Sequence, residues 1–220
     1  KKSKTFFSRW GINDHDFFFF FLNKIQELSS KGKPWFLTLL TVGTYHPYTL
    51  PDSYTKEAAL SPKLRSVSFL DDALDNFLNR LEKKGILKDT LVIVTSDESH
   101  GMDADILLAG NWGLCLALVP QRIKAPMLNP GLFGLVDLPL SILDYTGLST
   151  AASADSVAGR SIFRDYGASE KRTLLGSWGS RLFVVSGDAV LMKDFESDAF
   201  VKYRYAHSPF TISNTEQAEA

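Results

Sequence analysis

Apolar residues fall into two kinds of pattern along the chain. In some stretches nearly every position is apolar: WFLTLLTV (35–42), TLVIVTSD (90–97) and GLCLALVP (113–120). Such runs are short and rich in β-branched residues, and they predict strands covered on both faces, as in the middle of a parallel sheet. Elsewhere the apolar positions recur at helical spacing. Val67, Leu70, Leu74, Phe77, Leu78 and Leu81 make one stripe between Pro62 and Lys84, closed by Gly85. RWGINDHDFFFFFLNKIQELSSKGKP predicts an earlier helix, capped by Asn13 or Asp14 and ended by Gly32 and Pro34. Residues 35–96 therefore read as strand, helix, strand, the crossover unit of an α/β sheet. LFGLVDLPLSILDYTG predicts a loop and a helix closed by Gly147. From Thr173 onward the texture changes. TLLGSW, RLFVVSG, AVLMKDF and FVKYRYA are short, rich in β-formers and separated by Gly, Asp and Ser, which predicts an antiparallel meander. The tail SNTEQAEA reads as a frayed terminus.

Composition narrows what such a fold can do. The 220 residues can bury a sizeable core, and 45% are hydrophobic, so a globular fold is expected. A net charge of −1 removes the electrostatic case for a nucleic-acid partner. An anionic ligand would have to be held by local groups. The lone Cys115 lies in an apolar run and reads as a small buried hydrophobe, with no disulfide framework. DFFFFFL falls short of the roughly 18 apolar residues that a membrane span requires. The opening KKSKTFF carries no initiator methionine and no signal-peptide pattern, and it reads as a cut inside a longer protein.

Candidate chemistry gathers at two predicted strand ends. Ligands of open parallel sheets bind beyond the carboxyl ends of the strands. His46 follows the first run, in TYHPYTLPDSY, where Pro47 sets the direction of the chain. Asp97, Glu98 and His100 close the second, in TSDESHG. Carboxylate and imidazole together suit Zn²⁺, Mn²⁺ or Ca²⁺, and a metal there would polarise a phosphoryl or sulfuryl oxygen. A histidine across the cleft could donate to the same oxyanion. Each feature also has a plain reading, His46 as a loop residue bonded to backbone and SDESHG as a solvated turn. His15 and His207 read as structural. Asp71 and Asp72 read as part of the solvated face of the crossover helix, and Trp112 as a core or loop aromatic.

Four motifs stand in one order: KPWFLTLLTVGTYHPYTLP, then RSVSFLDDALDNFLNRLEKKGILKDTLVIVTSDESHG, then GLVDLPLSILDYTGL, then GRSIF. Over residues 10 to about 165 this order resembles the C-terminal half of the sulfatase and alkaline phosphatase superfamily, and within it the lipoteichoic acid synthase and phosphoglycerol transferase branch. The resemblance implies an alkaline-phosphatase-like α/β sheet with flanking helices over residues 1–165, followed by a β meander and tail over 166–220, all part of one sulfatase-like domain. It implies one or two divalent ions (Mn, Zn, Ca or Mg) and a covalently modified Thr, Ser or Cys nucleophile. His46 matches the histidine that contacts the substrate's anionic group, and Asp97 the metal-binding aspartate. The family places His directly after that Asp. Here Glu98 stands there and His100 comes three residues after Asp97, so either a longer loop lets His100 reach the metal, which is the favoured reading, or Glu98 replaces the imidazole, or the site has decayed. No Ser or Thr matches the nucleophile motif, which implies that the catalytic nucleophile and the N-terminal half of the domain lie outside this chain. The implied function is a phosphoglycerol-type transferase acting on an anionic, lipid-linked phosphate ester outside the cell membrane. The alternatives are a sulfate or phosphate ester hydrolase and a non-catalytic binding module.

Overall fold

The structure, a computed structural model, describes residues 6–97, 113, 115–120, 125–129, 131–150, 156–167, 172–205 and 212–217. The chain divides into two units, residues 1–92 with 118–124, and residues 93–117 with 125–220.

The first unit is built on two helices. Helix α1 (Asp14–Ser30) starts where the Asn13 side chain accepts from the Asp16 amide, and α2 (Pro62–Lys83) starts at Ser61, with proline in its first turn. Gly85, at φ 71°, ends α2 as expected. The helices meet through Phe18, Leu22 and Ile25 on one side and Ala73, Phe77 and Leu81 on the other. The Phe18 and Phe77 rings stack at 4.8 Å. Each large apolar side chain buried there contributes about 1.5–3 kcal/mol. The buried stripe of α2 is rotated from the one its apolar spacing predicts. Ser66, Phe69, Ala73, Phe77 and Leu81 face inward, Leu70, Leu74 and Leu78 flank the core, and Val67 is 45% exposed. Small residues at 66 and 73 lie on the inward stripe, which a pattern of large apolar residues does not reveal.

The run 35–42 departs from expectation. Among the described residues it joins no strand ladder, so the predicted central strand is not formed. Its burial still alternates with the period of a strand. Trp35, Leu37 and Leu39 pack on the helical core, while Phe36 and Leu40 are 72% and 74% exposed. One apolar face is covered by the helices and the other is bare.

In the second unit, β1 (Val92–Thr95, its first residue belonging to the first unit) pairs with β2 (Cys115–Leu118). Cys115 is exposed and not the buried hydrophobe its neighbours suggest, because among the described residues β2 pairs with β1 alone and a two-stranded sheet covers few of its side chains. A 3₁₀ turn, Leu135–Asp137, leads into α3 (Leu138–Thr146), which ends at Gly147 with φ 72°. Asp137 is fully buried and ties this corner together. Its carboxylate accepts from the Gly134 amide at 2.7 Å and the Arg160 amide at 2.6 Å, and it pairs with Arg172 at 2.5 Å. Ser141 Oγ accepts from the Ile162 amide at 2.9 Å. Gly159, at φ 138°, allows this close return: a Cβ there would lie 2.2 Å from the Val136 carbonyl oxygen. GRSIF is thus the segment stitched onto the start of α3.

The meander forms as predicted and runs one strand further. Strands β3 (Thr173–Trp178), β4 (Arg181–Ser186), β5 (Ala189–Asp194), β6 (Phe200–Tyr205) and β7 (Ile212–Gln217) make one sheet in chain order. Thr173 pairs with Ser186 and Trp178 with Arg181, so a two-residue turn at Gly179 joins β3 to β4. A second such turn, at Gly187, joins β4 to β5. Phe183, Val190 and Met192 form the core of the sheet. Strand β7 corrects the expectation of a frayed tail. The open edge of β6 offers unpaired backbone groups, and a polar segment suits an edge strand.

Candidate functional site

His46 sits at the apex of a tight loop. The Tyr45 amide donates to Val42 O at 3.2 Å and the Tyr48 amide to Tyr45 O at 3.0 Å, so two successive turns carry the chain through residues 42–48. The His46 side chain is exposed, its ring edge-on to Tyr48 with centroids 5.6 Å apart. The His46–Pro47 peptide is cis, and Tyr48 has φ 59°. From here the chain lines a cavity of about 300 Å³ whose walls include Tyr48, Asp52, Tyr54 and Arg65. Arg65 donates from Nη2 to the Tyr54 carbonyl at 2.8 Å. Its Nε is buried with no hydrogen-bond partner among the described residues.

The segment before α1 braces this loop. Phe7 and Ile12 form a β-bridge, and the Ser8 amide donates to Gly11 O at 2.7 Å, closing a tight turn. Trp10, on that turn, donates from Nε1 to the His46 carbonyl at 2.5 Å. Its ring meets Tyr45 edge-on at 4.9 Å. Asp14 lies beneath the start of the loop, so close that a Cβ on Gly43 would fall 2.0 Å from its Oδ2. Burial pushes the Asp14 carboxyl up to about 6, with the Gly43 amide pulling the other way. Nothing in the sequence marks Trp10, Asp14 or Arg65 as neighbours of His46. Trp10 and His46 are 36 positions apart, and Asp14 reads from sequence as a helix cap.

Asp97 is exposed, two residues beyond the end of β1. The backbone at Gly113 passes so close that a Cβ would meet Ser96 Oγ at 2.8 Å, which brings the lead-in to β2 against this strand end. Glu98, His100, Trp112 and His207 lie outside the described residues. Among the described residues no three His, Cys, Asp or Glu gather as a metal cluster. Asp97 brings hard oxygen donors to a strand end, and the further ligands a divalent ion would need do not lie among the described residues. The structure places His46 in the first unit and Asp97 in the second. Of the other residues singled out in the sequence, His15 packs edge-on to Phe69 at 4.7 Å and Asp72 pairs with Lys56 at 2.9 Å.

The fold class is alkaline-phosphatase-like α/β. The same fold is found in a protein of the alkaline phosphatase superfamily from Vibrio parahaemolyticus, with a TM-score of 0.71 and 19% identity over 98% of this chain and 51% of that one. The sulfatase family model matches residues 1–147, and the chain belongs to the sulfatase family. Lipoteichoic acid synthase of Staphylococcus aureus (strain USA300) is 27% identical over 157 residues, covering 60% of this chain and 23% of that protein. The synthase of Staphylococcus saprophyticus is 24% identical over 110 residues, covering 44% of this chain and 17% of that protein. The chain thus spans less than a quarter of these synthases and about half of the solved structure.

Proposed function

We infer that this chain is the C-terminal part of one sulfatase-like domain whose whole protein is a metal-dependent, phosphoglycerol-type transferase. The observation that carries the reading is the exposed His46 at the apex of a braced loop, within the span matched by the sulfatase family model. Similarity to lipoteichoic acid synthases supports transfer over hydrolysis. The substrate class is an anionic phosphate ester, carried on a lipid, with the catalytic domain on the outer side of the cell membrane. Among the described residues no helix is long and apolar enough to cross a membrane.

The side chains divide the work by position. His46 donates a hydrogen bond to the oxyanion of the ester and steadies charge as it develops. Arg65, with a buried and unpartnered Nε on the neighbouring cavity wall, supplies positive charge that the near-neutral chain as a whole does not. Asp97, with His100 or Glu98, would hold a divalent ion, which polarises the phosphoryl oxygen and favours a deprotonated nucleophile. That nucleophile, a Thr, Ser or modified Cys, lies outside this chain and carries the group between donor and acceptor.

The test is a comparison of His46→Ala with Asp97→Ala in the full-length protein, using bis(4-nitrophenyl) phosphate with Mn²⁺, Zn²⁺, Ca²⁺ and Mg²⁺ in turn. His46→Ala keeps its metal and loses about a hundredfold in rate. Asp97→Ala loses both metal and rate. Full activity in His46→Ala refutes the role of His46, and loss of metal makes it a ligand. Faster turnover of 4-nitrophenyl sulfate than of the phosphodiester assigns a sulfatase, and no turnover of either, with any metal, a binding module.

A further inference from the structure

We propose that Trp10 is the positioning residue for His46, and that the turn at residues 7–12 exists to hold the His46 loop in its working geometry. The inference rests on the substrate-binding role of His46 proposed above.

The turn is stiff before it touches the loop. Ser8 Oγ accepts from the Trp10 amide at 3.2 Å and donates to Gly11 O at 3.2 Å. The Asn13 amide and side chain both donate to Phe6 O, at 3.2 and 3.1 Å. Gly11, at φ 151°, lies against Val42, so the turn is seated where the His46 loop begins. From this frame Trp10 Nε1 reaches the carbonyl of His46 itself. The Tyr45 ring is held by the same indole. Asp14 under Gly43 is the second point of contact, at the near end of the loop. The loop is thereby held at its near end and at its apex, and the apex residue keeps an exposed ring on a restrained backbone.

The position of Trp10 argues against a packing role. It is half exposed and takes no part in the Phe18–Phe77 core. Its ring and its N–H both go to the residues on either side of the Tyr45–His46 peptide. Without that hydrogen bond the His46 backbone can rotate, and the imidazole leaves the narrow range of positions in which it can meet an oxyanion. Small misplacements of this kind are felt in rate far more than in stability.

The experiment is a double-mutant cycle in the full-length protein, loaded with the metal that supports turnover of bis(4-nitrophenyl) phosphate. Trp10→Phe keeps a ring against Tyr45 and removes the N–H. A tryptophan analogue carrying sulfur in place of the indole N–H makes the same change with less alteration of shape, should the phenylalanine variant fold poorly. The expected result is a fall in kcat of about tenfold, with KM, bound metal and melting temperature unchanged. In the His46→Ala background the same change has no further effect. An equal loss in both backgrounds shows that Trp10 supports the fold and not His46, which overturns the proposal. So does full kcat in Trp10→Phe when His46→Ala is impaired. If His46→Ala itself retains full rate, the functional role of His46 falls first, and that result is separate from any result for Trp10.

Discussion

Asp14 gives the sharpest quantitative test of the structure. Its side chain is 1% exposed, neither carboxylate oxygen makes a well-formed hydrogen bond among the described residues, and the nearby Gly43 amide offsets only part of the effect of burial. Burial raises its pKa from the ordinary 3.8 to about 6. At about 1.4 kcal/mol for each tenfold change in proton affinity, the charged form costs the fold about 3 kcal/mol. The sign follows from proton binding. Between these two pKa values the folded chain binds more protons at Asp14 than the unfolded chain does, so stability falls as pH rises. The contribution is flat below about pH 4, declines to about pH 6 and is flat again above it. Asp14→Asn removes the charge and keeps the shape. The variant loses this decline and gains about 1–2 kcal/mol at neutral pH, the balance going to amide hydrogens that also lack partners. Urea unfolding of wild type and variant, followed by far-ultraviolet circular dichroism between about pH 4 and pH 8, measures the difference directly. Subtracting one curve from the other cancels His15 and the surface carboxylates. A difference that stays constant across this range, or an Asp14 carboxyl that titrates below about pH 4 by carbon NMR, refutes the reasoning and means that the carboxylate has a partner.

Three further outcomes follow from individual contacts. Asp137→Ala leaves Arg172 buried without its partner and costs about 3–5 kcal/mol, read as faster hydrogen exchange at the Arg160 and Ile162 amides; wild-type exchange there would show that the corner holds without the carboxylate. Gly159→Ala puts a methyl group into the Val136 carbonyl and, because backbone must move, destabilises the same corner by at least about 2 kcal/mol; a wild-type melt would show that the segment can shift freely. Phe36→Thr with Leu40→Thr removes two exposed apolar side chains from the bare face of 35–42, so the 220-residue chain gains solubility with a stability change within about 0.5 kcal/mol; a large loss would mean that this face is packed.

What the sequence determined by itself was local. Asn13, Gly85 and Gly147 mark helix ends because capping depends on a few adjacent residues. The meander is legible because the glycines at 179 and 187 demand turns between β-rich runs. The ordered motifs, from the His46 loop to GRSIF, carried the family. Other features were decided only by tertiary contact. Whether 35–42 becomes a strand depends on neighbours to pair with, and its own composition cannot supply them. The stripe of α2 turned because packing against α1 is set by shape and not by the count of large apolar residues. Strand β7 exists because β6 offers an edge. At the candidate site, His46 and Asp97 stood out because a histidine or an acid after an apolar run is visible in one dimension. Trp10, Asp14 and Arg65 did not. Their roles come from closing the chain on itself, which brings a half-exposed indole to a carbonyl and a carboxylate beneath a glycine.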